Sequence, residues 1–226
     1  MELEYKDYYL RTINKVDNGL KLVLGGTGLG KTHGMREAVK EYLNSEKEEK
    51  RKLIYITNRH NLITEQKREF EKSNFKCCYL KGNREIILGI LKANLFDELI
   101  EDLETNGFFK YDEIYKSKSK RKSKLNKLID SIDSKVQLLK EGKQRNNSLQ
   151  KALDKDLGLE CDELFRFFKT QFIAVGRNDE KLHEKLCGSA FVWKLFPYVE
   201  FENNSQTNIL LVTIQKVLMH KTNSIS

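Results

Sequence analysis

Eight consecutive residues near the N-terminus have the types and spacing of a phosphate-binding loop. They are Gly25, Gly26, Thr27, Gly28, Leu29, Gly30, Lys31 and Thr32, in the pattern G-x-x-x-x-G-K-[ST]. A triphosphate is held by backbone N–H groups that turn toward it, and glycine permits the tight curl that this requires. The motif lies between the apolar run Leu20–Leu24 and a helical pattern that starts near Lys31. Because a helix N-terminus attracts anions, this context predicts a site for ATP.

Two residues of the motif have predicted chemical roles. The ammonium of Lys31 would reach the β- and γ-phosphates, and the hydroxyl of Thr32 would be a ligand of the Mg²⁺ that accompanies the nucleotide. The alternative is a glycine-rich turn with a purely structural role. The position between a strand pattern and a helix pattern favours phosphate binding.

The motif belongs to a segment in which short apolar strands alternate with amphipathic helices. Helices are predicted at 3–17, 31–43 and 60–70, and strands at 20–24, 53–57, 75–80 and 208–213. Strands that alternate with helices of this length indicate parallel β-α-β units. The sequence therefore predicts an α/β core made of residues 1–80 and 206–226.

Residues 81–205 show mainly helical patterns and are predicted to form an insertion in this core. Within it, apolar residues recur at alternating intervals of four and three: Leu125, Ile129, Ile132, Val136 and Leu139. This spacing is typical of the seam of an αα-hairpin. The polar segment Gly142–Asn147 interrupts the seam, and Leu149 and Leu153 resume it, which indicates an antiparallel return.

The insertion also carries the positive charge of the chain. Between residues 116 and 151 there are twelve Lys or Arg and three acids, a net charge of +9. Since the whole chain has a charge of +8, the remainder is close to neutral at −1. The run from Lys116 to Lys124 could contact a phosphate backbone, and its lack of aromatic residues argues against base stacking. The alternative is a solvated, partly disordered loop between helices.

Three segments together resemble the first RecA-like domain of superfamily 2 helicases. The form GGTGLGKT resembles the first motif of that family, and Leu53–Arg59 resembles the strand and loop of its motif Ia. The segment Leu210–Leu218 resembles the Ib-type motif. The resemblance covers about a hundred residues, and it implies a P-loop NTPase sheet and dependence on nucleic acid. It also implies that four residues face the nucleic-acid strand: Thr57, Asn58, Arg59 and Thr213.

The acidic D-E motif that this family uses for ATP hydrolysis does not follow the Ib-type segment. Two other Asp-Glu pairs exist, Asp112-Glu113 and Asp162-Glu163, but both lie in the helical insertion, where a solvated role is expected. The second RecA-like domain and its arginine finger are also missing. We therefore expect a fragment, or a split product that a second chain completes, that is not an active helicase by itself.

These observations favour an ATP-binding N-terminal portion of a helicase-like, nucleic-acid-dependent ATPase, with DNA a better candidate than RNA. The alternative is a module that binds ATP and nucleic acid, or a partner, without catalysis.

No apolar stretch approaches the roughly 18–20 residues of a membrane span, and the N-terminus lacks the features of a secretory signal. The four cysteines have no metal-ligand spacing, so we expect reduced thiols in a cytoplasmic protein without membrane contact.

Overall fold

The computed structural model describes residues 5–15, 31–44, 52–57, 60–141 and 147–215. It divides the chain into two compact units, one of residues 1–80 and 205–226 and the other of residues 81–204. We call these the sheet unit and the helical unit. Their bounds fall within one residue of the core and insertion expected from the sequence. The described residues are mostly helical and contain one three-stranded parallel sheet.

The sheet unit contains three helices and three strands. They are α1 (Tyr5–Lys15), α2 (Lys31–Asn44), β1 (Leu53–Thr57), α3 (His60–Glu71), β2 (Lys76–Tyr79) and β3 (Thr207–Thr213). The strand order is β1-β3-β2, and β3 pairs in parallel with both neighbours. The strands predicted at 53–57, 75–80 and 208–213 are thus present, with ends that differ by a residue at most. The strand predicted at 20–24 lies outside the described residues.

The core of the sheet unit lies between one face of the sheet and the helices α2 and α3. Its buried apolar residues are Val39, Tyr55, Ile63, Phe70, Phe75, Cys77, Ile209 and Leu211. On β1, Tyr55 is buried while Ile54 and Ile56 are half-exposed, as expected when side chains alternate between the two faces of a strand. The apolar positions of α3 recur at the helical period, which gives this helix one face to bury.

The helical unit contains seven helices among its described residues. They are α4 (Asn83–Lys92), α5 (Phe96–Thr105), α6 (Lys118–Glu141), α7 (Asn147–Asn178), α8 (Glu180–Cys187), α9 (Ala190–Leu195) and α10 (Pro197–Asn203). They enclose one core of aliphatic and aromatic side chains, in which Phe108, Phe168 and Leu164 are fully buried. Within the described segments, no helix has the length and apolar character needed to cross a membrane.

Three helices end with the same local hydrogen-bonding pattern. Asn74, Asn94 and Gly107 follow α3, α4 and α5 and have positive φ angles of 63°, 53° and 81°. After each, the next residue donates its N–H to a carbonyl five positions back, as in Phe108 to Leu103 at 2.8 Å. Asn and Gly tolerate the left-handed conformation best, so these residues terminate the helices.

The predicted αα-hairpin is formed by α6 and α7. Ile132 and Leu125 of α6 are buried, and contacts such as Lys135 to Glu160 and Lys124 to Glu163 show that the two helices run antiparallel. The basic run, for which a partly disordered loop was the alternative, is helical from Lys118 onward, so that alternative is wrong. Lys and Arg are good helix formers, so high charge alone does not prevent helix formation.

We predict that Ile132→Ala lowers the free energy of unfolding by about 2–5 kcal/mol, because Ile132 is fully buried and the substitution leaves a cavity. Leu138→Ala on the same helix is the matched control. Leu138 is 51% exposed, so its substitution should change the stability by no more than about 0.5 kcal/mol. Chemical denaturation checks both variants. Equal effects would contradict the packing of α6 against α7.

Candidate nucleotide-binding site

The helix that follows the predicted phosphate loop begins at Lys31, as the motif requires. Residues 31–44 form α2, and Thr32 in its first turn is exposed. The first N–H groups of a helix have no partner within the helix and are available to an anion. The glycine-rich part of the motif, residues 25–30, lies outside the described residues. Its role in binding phosphate therefore remains a prediction.

Apolar contacts and one arginine hold α2 in place. Met35, Val39 and Leu43 pack into the core of the sheet unit. Arg36 lies 3.8 Å from Glu65 and 3.8 Å from Glu69 on α3, and its side chain is 16% exposed. Ion pairs of this kind contribute at most about 1 kcal/mol, so apolar packing provides most of the attachment.

These contacts place the second turn of α2 beside α3. Arg36 lies in the second turn of α2, and its partners Glu65 and Glu69 lie in the second and third turns of α3. Because α3 begins at His60, just after β1 ends at Thr57, α3 starts at the carboxyl end of β1. In parallel α/β sheets, ligands bind outside the carboxyl ends of the strands. This end of the sheet is therefore where a bound ligand is expected.

Two of the residues predicted to face nucleic acid lie side by side at this same end. Thr57 ends β1, Thr213 ends β3, and the two are paired across the parallel ladder. Thr57 is partly exposed, whereas Thr213 is 2% exposed. Of the two, Thr57 offers its side chain to solvent. Asn58 and Arg59 lie outside the described residues, and their contacts with nucleic acid stay predictions.

The carboxylates considered for ATP hydrolysis have structural roles in the helical unit. Asp112 is buried and accepts N–H groups from Ile114 at 3.2 Å and Tyr115 at 2.9 Å, so it shapes the turn that leads to α6. Its second oxygen lies 3.4 Å from the guanidinium of Arg121. The neighbouring Glu113 is exposed. The prediction of a solvated Asp-Glu pair is thus wrong for Asp112, which is buried and ion-paired.

The second pair lies in the middle of α7. Asp162 accepts a hydrogen bond from the side-chain amide of Asn83 at 2.9 Å, which joins α7 to the start of α4. Glu163 is exposed and lies 3.5 Å from Lys124. Neither residue follows a strand. In the resembled family, the magnesium-binding Asp and the water-orienting Glu come directly after an apolar strand.

A buried ion-pair network centred on Arg121 is a feature that the sequence reasoning missed. The guanidinium donates to Glu104 at 3.2 Å and to the carbonyl of Tyr115 at 3.2 Å, and it lies 4.5 Å from the ring centre of Phe109. Lys118 adds a second contact to Glu104 at 2.8 Å. The spacing of the seam did not signal it, because the alternating intervals continue from Leu125 to Lys122 and not to Arg121.

Cysteine chemistry offers no catalytic site in the described residues. All four cysteines are buried as free thiols. Burial raises the pKa of Cys77 to about 12 and that of Cys161 to about 11. Cys187 lies 3.8 Å from His183, but burial, with Glu202 and Glu184, raises the pKa of its thiol as well. Because the thiolate is the nucleophile, a raised pKa opposes catalysis. No cluster of three potential metal ligands occurs among the side chains that the structure describes.

The network around Arg121 predicts a pH dependence of stability. Burial alone would raise the pKa of Glu104, but hydrogen bonds from Lys118 and Arg121 outweigh it and hold the pKa below its usual value. A carboxylate whose pKa is lower in the folded state than in the unfolded state stabilises the fold. This stabilisation is complete at pH values above the pKa of the unfolded state, about 4.3, and is lost as the pH falls through the pKa of the folded state. Glu104→Gln should therefore lower the free energy of unfolding near neutral pH. The variant should then lose less of its free energy of unfolding than the unmodified chain does when the pH is lowered.

Denaturation midpoints measured from about pH 6 to about pH 3 test this expectation. Glu101→Gln is the control, because Glu101 is an exposed glutamate of the same helix with no ion partner among the described residues. A Glu104→Gln profile parallel to that of the unmodified chain would contradict the assigned role.

Comparisons of this chain with family models, with curated proteins and with solved structures returned no match.

Proposed function

We propose that this chain is an ATP-binding portion of a nucleic-acid-dependent ATPase of the P-loop class, related to superfamily 2 helicases. The observation that carries the proposal is a helix that starts directly after the glycine-rich part of the GGTGLGKT motif, in the same unit as a three-stranded parallel sheet. The paired strand ends Thr57 and Thr213 lie side by side at the carboxyl ends of β1 and β3. A phosphate site beside strand-end hydroxyls is the arrangement that the resemblance implies.

Within this proposal, each residue of the motif has a distinct role. The backbone N–H groups of residues 25–30 and the start of α2 bind the phosphates, and Lys31 neutralises charge on the β- and γ-phosphates. Thr32 holds the magnesium ion, which supplies further charge neutralisation at the phosphates when it is bound. The exposure of Thr32 supports this role, because a metal ligand must be accessible to the nucleotide.

The nucleic-acid strand, for which DNA is the favoured candidate, would contact the end of β1. Thr57 is partly exposed there and is followed by Asn58 and Arg59, which add an amide and a guanidinium. Such groups hydrogen-bond to phosphate oxygens without reading the base sequence. Thr213 is buried beside Thr57 and would support the position of that residue.

A second candidate function is binding of ATP and nucleic acid without turnover by this chain alone. The structural roles of Asp112 and Asp162 favour it, because they remove two of the carboxylates that could have held the magnesium ion for hydrolysis. None of the three described strands is followed at once by an Asp-Glu pair. Hydrolysis would then need carboxylates from elsewhere, such as a second chain.

We predict that Lys31→Ala abolishes binding of Mg-ATP, because it removes the cation that contacts the β- and γ-phosphates. Lys72→Ala is the matched control, since Lys72 is an exposed lysine of the same unit that contacts Glu69 at 2.7 Å. Titration with a fluorescent ATP analogue measures both affinities. Unchanged affinity in Lys31→Ala would remove the assignment of the phosphate loop.

Phosphate release measured with and without single-stranded DNA separates the two candidate functions. Turnover that DNA stimulates and Lys31→Ala abolishes would support the ATPase. Nucleotide binding without turnover would support the binding module. Turnover that survives in Lys31→Ala would contradict both.

A further inference from the structure

Three lysines of α6 form a stripe along one side of the helix. Lys120, Lys124 and Lys127 are separated by four and three residues, which places them on one face at 3.6 residues per turn. All three are exposed. We call them the lysine stripe. Ser123 and Ser131 share this face, so it carries both ammonium groups and hydroxyls.

The lysine stripe borders an open groove of about 620 Å³ that α6 forms with α7. Ser119, Ser123 and Ser131 line the groove together with the three lysines. Glu160 of α7 is also part of the lining, but its carboxylate accepts a hydrogen bond from Ser131 at 2.9 Å and contacts Lys135 at 2.5 Å. The one acid of the groove is therefore already paired.

The cations of α6 fall into two groups according to their partners. Lys118, Arg121 and Lys135 contact Glu104, Asp112 and Glu160 and hold the helix to the rest of the unit. In contrast, Lys120 and Lys127 have no carboxylate within 4.0 Å in the part of the chain that the structure describes. Lys124 is intermediate, with Glu163 at 3.5 Å. The lysine stripe therefore presents positive charge that the protein itself leaves largely uncompensated.

We propose that the lysine stripe binds the sugar-phosphate backbone of a nucleic acid. Uncompensated ammonium groups release counterions from a polyanion, and this release drives such binding. The serine hydroxyls add hydrogen-bond donors for phosphate oxygens. No aromatic side chain lines the groove among the described residues, so the contact is with the backbone and is independent of base sequence.

A nucleic acid fits this surface better than an acidic protein does. Stable protein interfaces have an apolar, desolvated centre, whereas Leu128 provides the single apolar side chain among the described residues that line the groove. The surface belongs to the helical unit, whereas the predicted strand-end contacts belong to the sheet unit. This inference rests on the proposed function only in the choice of nucleic acid as the partner. It does not require that the chain binds ATP.

The test compares two double variants of the full chain. Lys120→Gln with Lys127→Gln removes two charges from the lysine stripe. Lys122→Gln with Lys140→Gln removes two charges from the same helix at exposed positions about 200° around its axis. All four lysines lack an ion partner in the described segments, so both variants should keep the melting temperature of the unmodified chain.

Fluorescence anisotropy with a labelled single-stranded or duplex DNA of about 30 nucleotides, at several salt concentrations and without ATP, measures binding. We expect the stripe variant to bind about tenfold more weakly, and the slope of log K against log salt to fall by about 1.5–2. The control variant should stay within about threefold of the unmodified chain. Equal losses in both variants, or no loss in either, would overturn the proposal.

Two further measurements complete the test. Polyglutamate at equal charge concentration should compete weakly; competition as strong as that of unlabelled DNA would indicate an acidic protein partner and overturn the proposal. Lys31→Ala should bind DNA without ATP as the unmodified chain does. If Lys31→Ala retains its affinity for ATP while the lysine stripe still governs DNA binding, the nucleotide assignment fails and the stripe stands.

Discussion

The sheet unit depends on the pairing of β3 with two strands that are remote from it in the sequence. Residues 207–213 lie between β1 and β2, and these two strands do not pair with each other. Without β3 there is no sheet for α2 and α3 to cover and no neighbouring pair of strand ends at Thr57 and Thr213. The geometry of the candidate site thus depends on a long-range contact.

The helical unit makes this contact physically reasonable. An unstructured connection of more than a hundred residues would oppose pairing through the entropy of loop closure. Residues 81–204 instead form a compact unit with a core of their own, and a hydrogen bond from Leu80 to Leu211 at 2.9 Å connects the chain on either side of it. Because β2 and β3 are parallel, residues 81–204 connect the end of β2 to the start of β3, and their folding into a compact unit reduces the entropic cost of pairing these strands.

The basic residues of α6 divide into a group with carboxylate partners and a group without them among the described residues. Arg121 is 8% exposed and pairs with Glu104 and Asp112, and a buried charge of this kind is stable only with such partners. Removing one partner of a buried pair typically costs about 3–5 kcal/mol. Lys120 and Lys127 remain in solvent, where an unpaired ammonium group is well hydrated. The basic residues of α6 therefore have two roles. Some of them hold the helix to the rest of the helical unit, and others give its surface a positive charge.

Much of the fold was predictable because local patterns determine it. The strands at 53–57 and 207–213 are β-rich apolar runs, and α2 begins at Lys31, directly after the last glycine of the motif. The hairpin of α6 and α7 followed from a seam at intervals of four and three. The loop alternative for the basic run failed because Arg121 contacts Glu104 and Asp112, and Lys118 contacts Glu104. These long-range contacts cannot be inferred from composition.

The sequence by itself determined the described elements, the glycine-rich motif that precedes α2 and the division into a core and a helical insertion. Those features depend on residue type and on spacing over a few turns, which the chain carries locally. Only the tertiary structure decided that β3 lies between β1 and β2, that Asp112 pairs with Arg121, and that Lys120 and Lys127 have no carboxylate partner among the described residues. Strand order and charge pairing depend on which distant residues meet, and no local pattern specifies that.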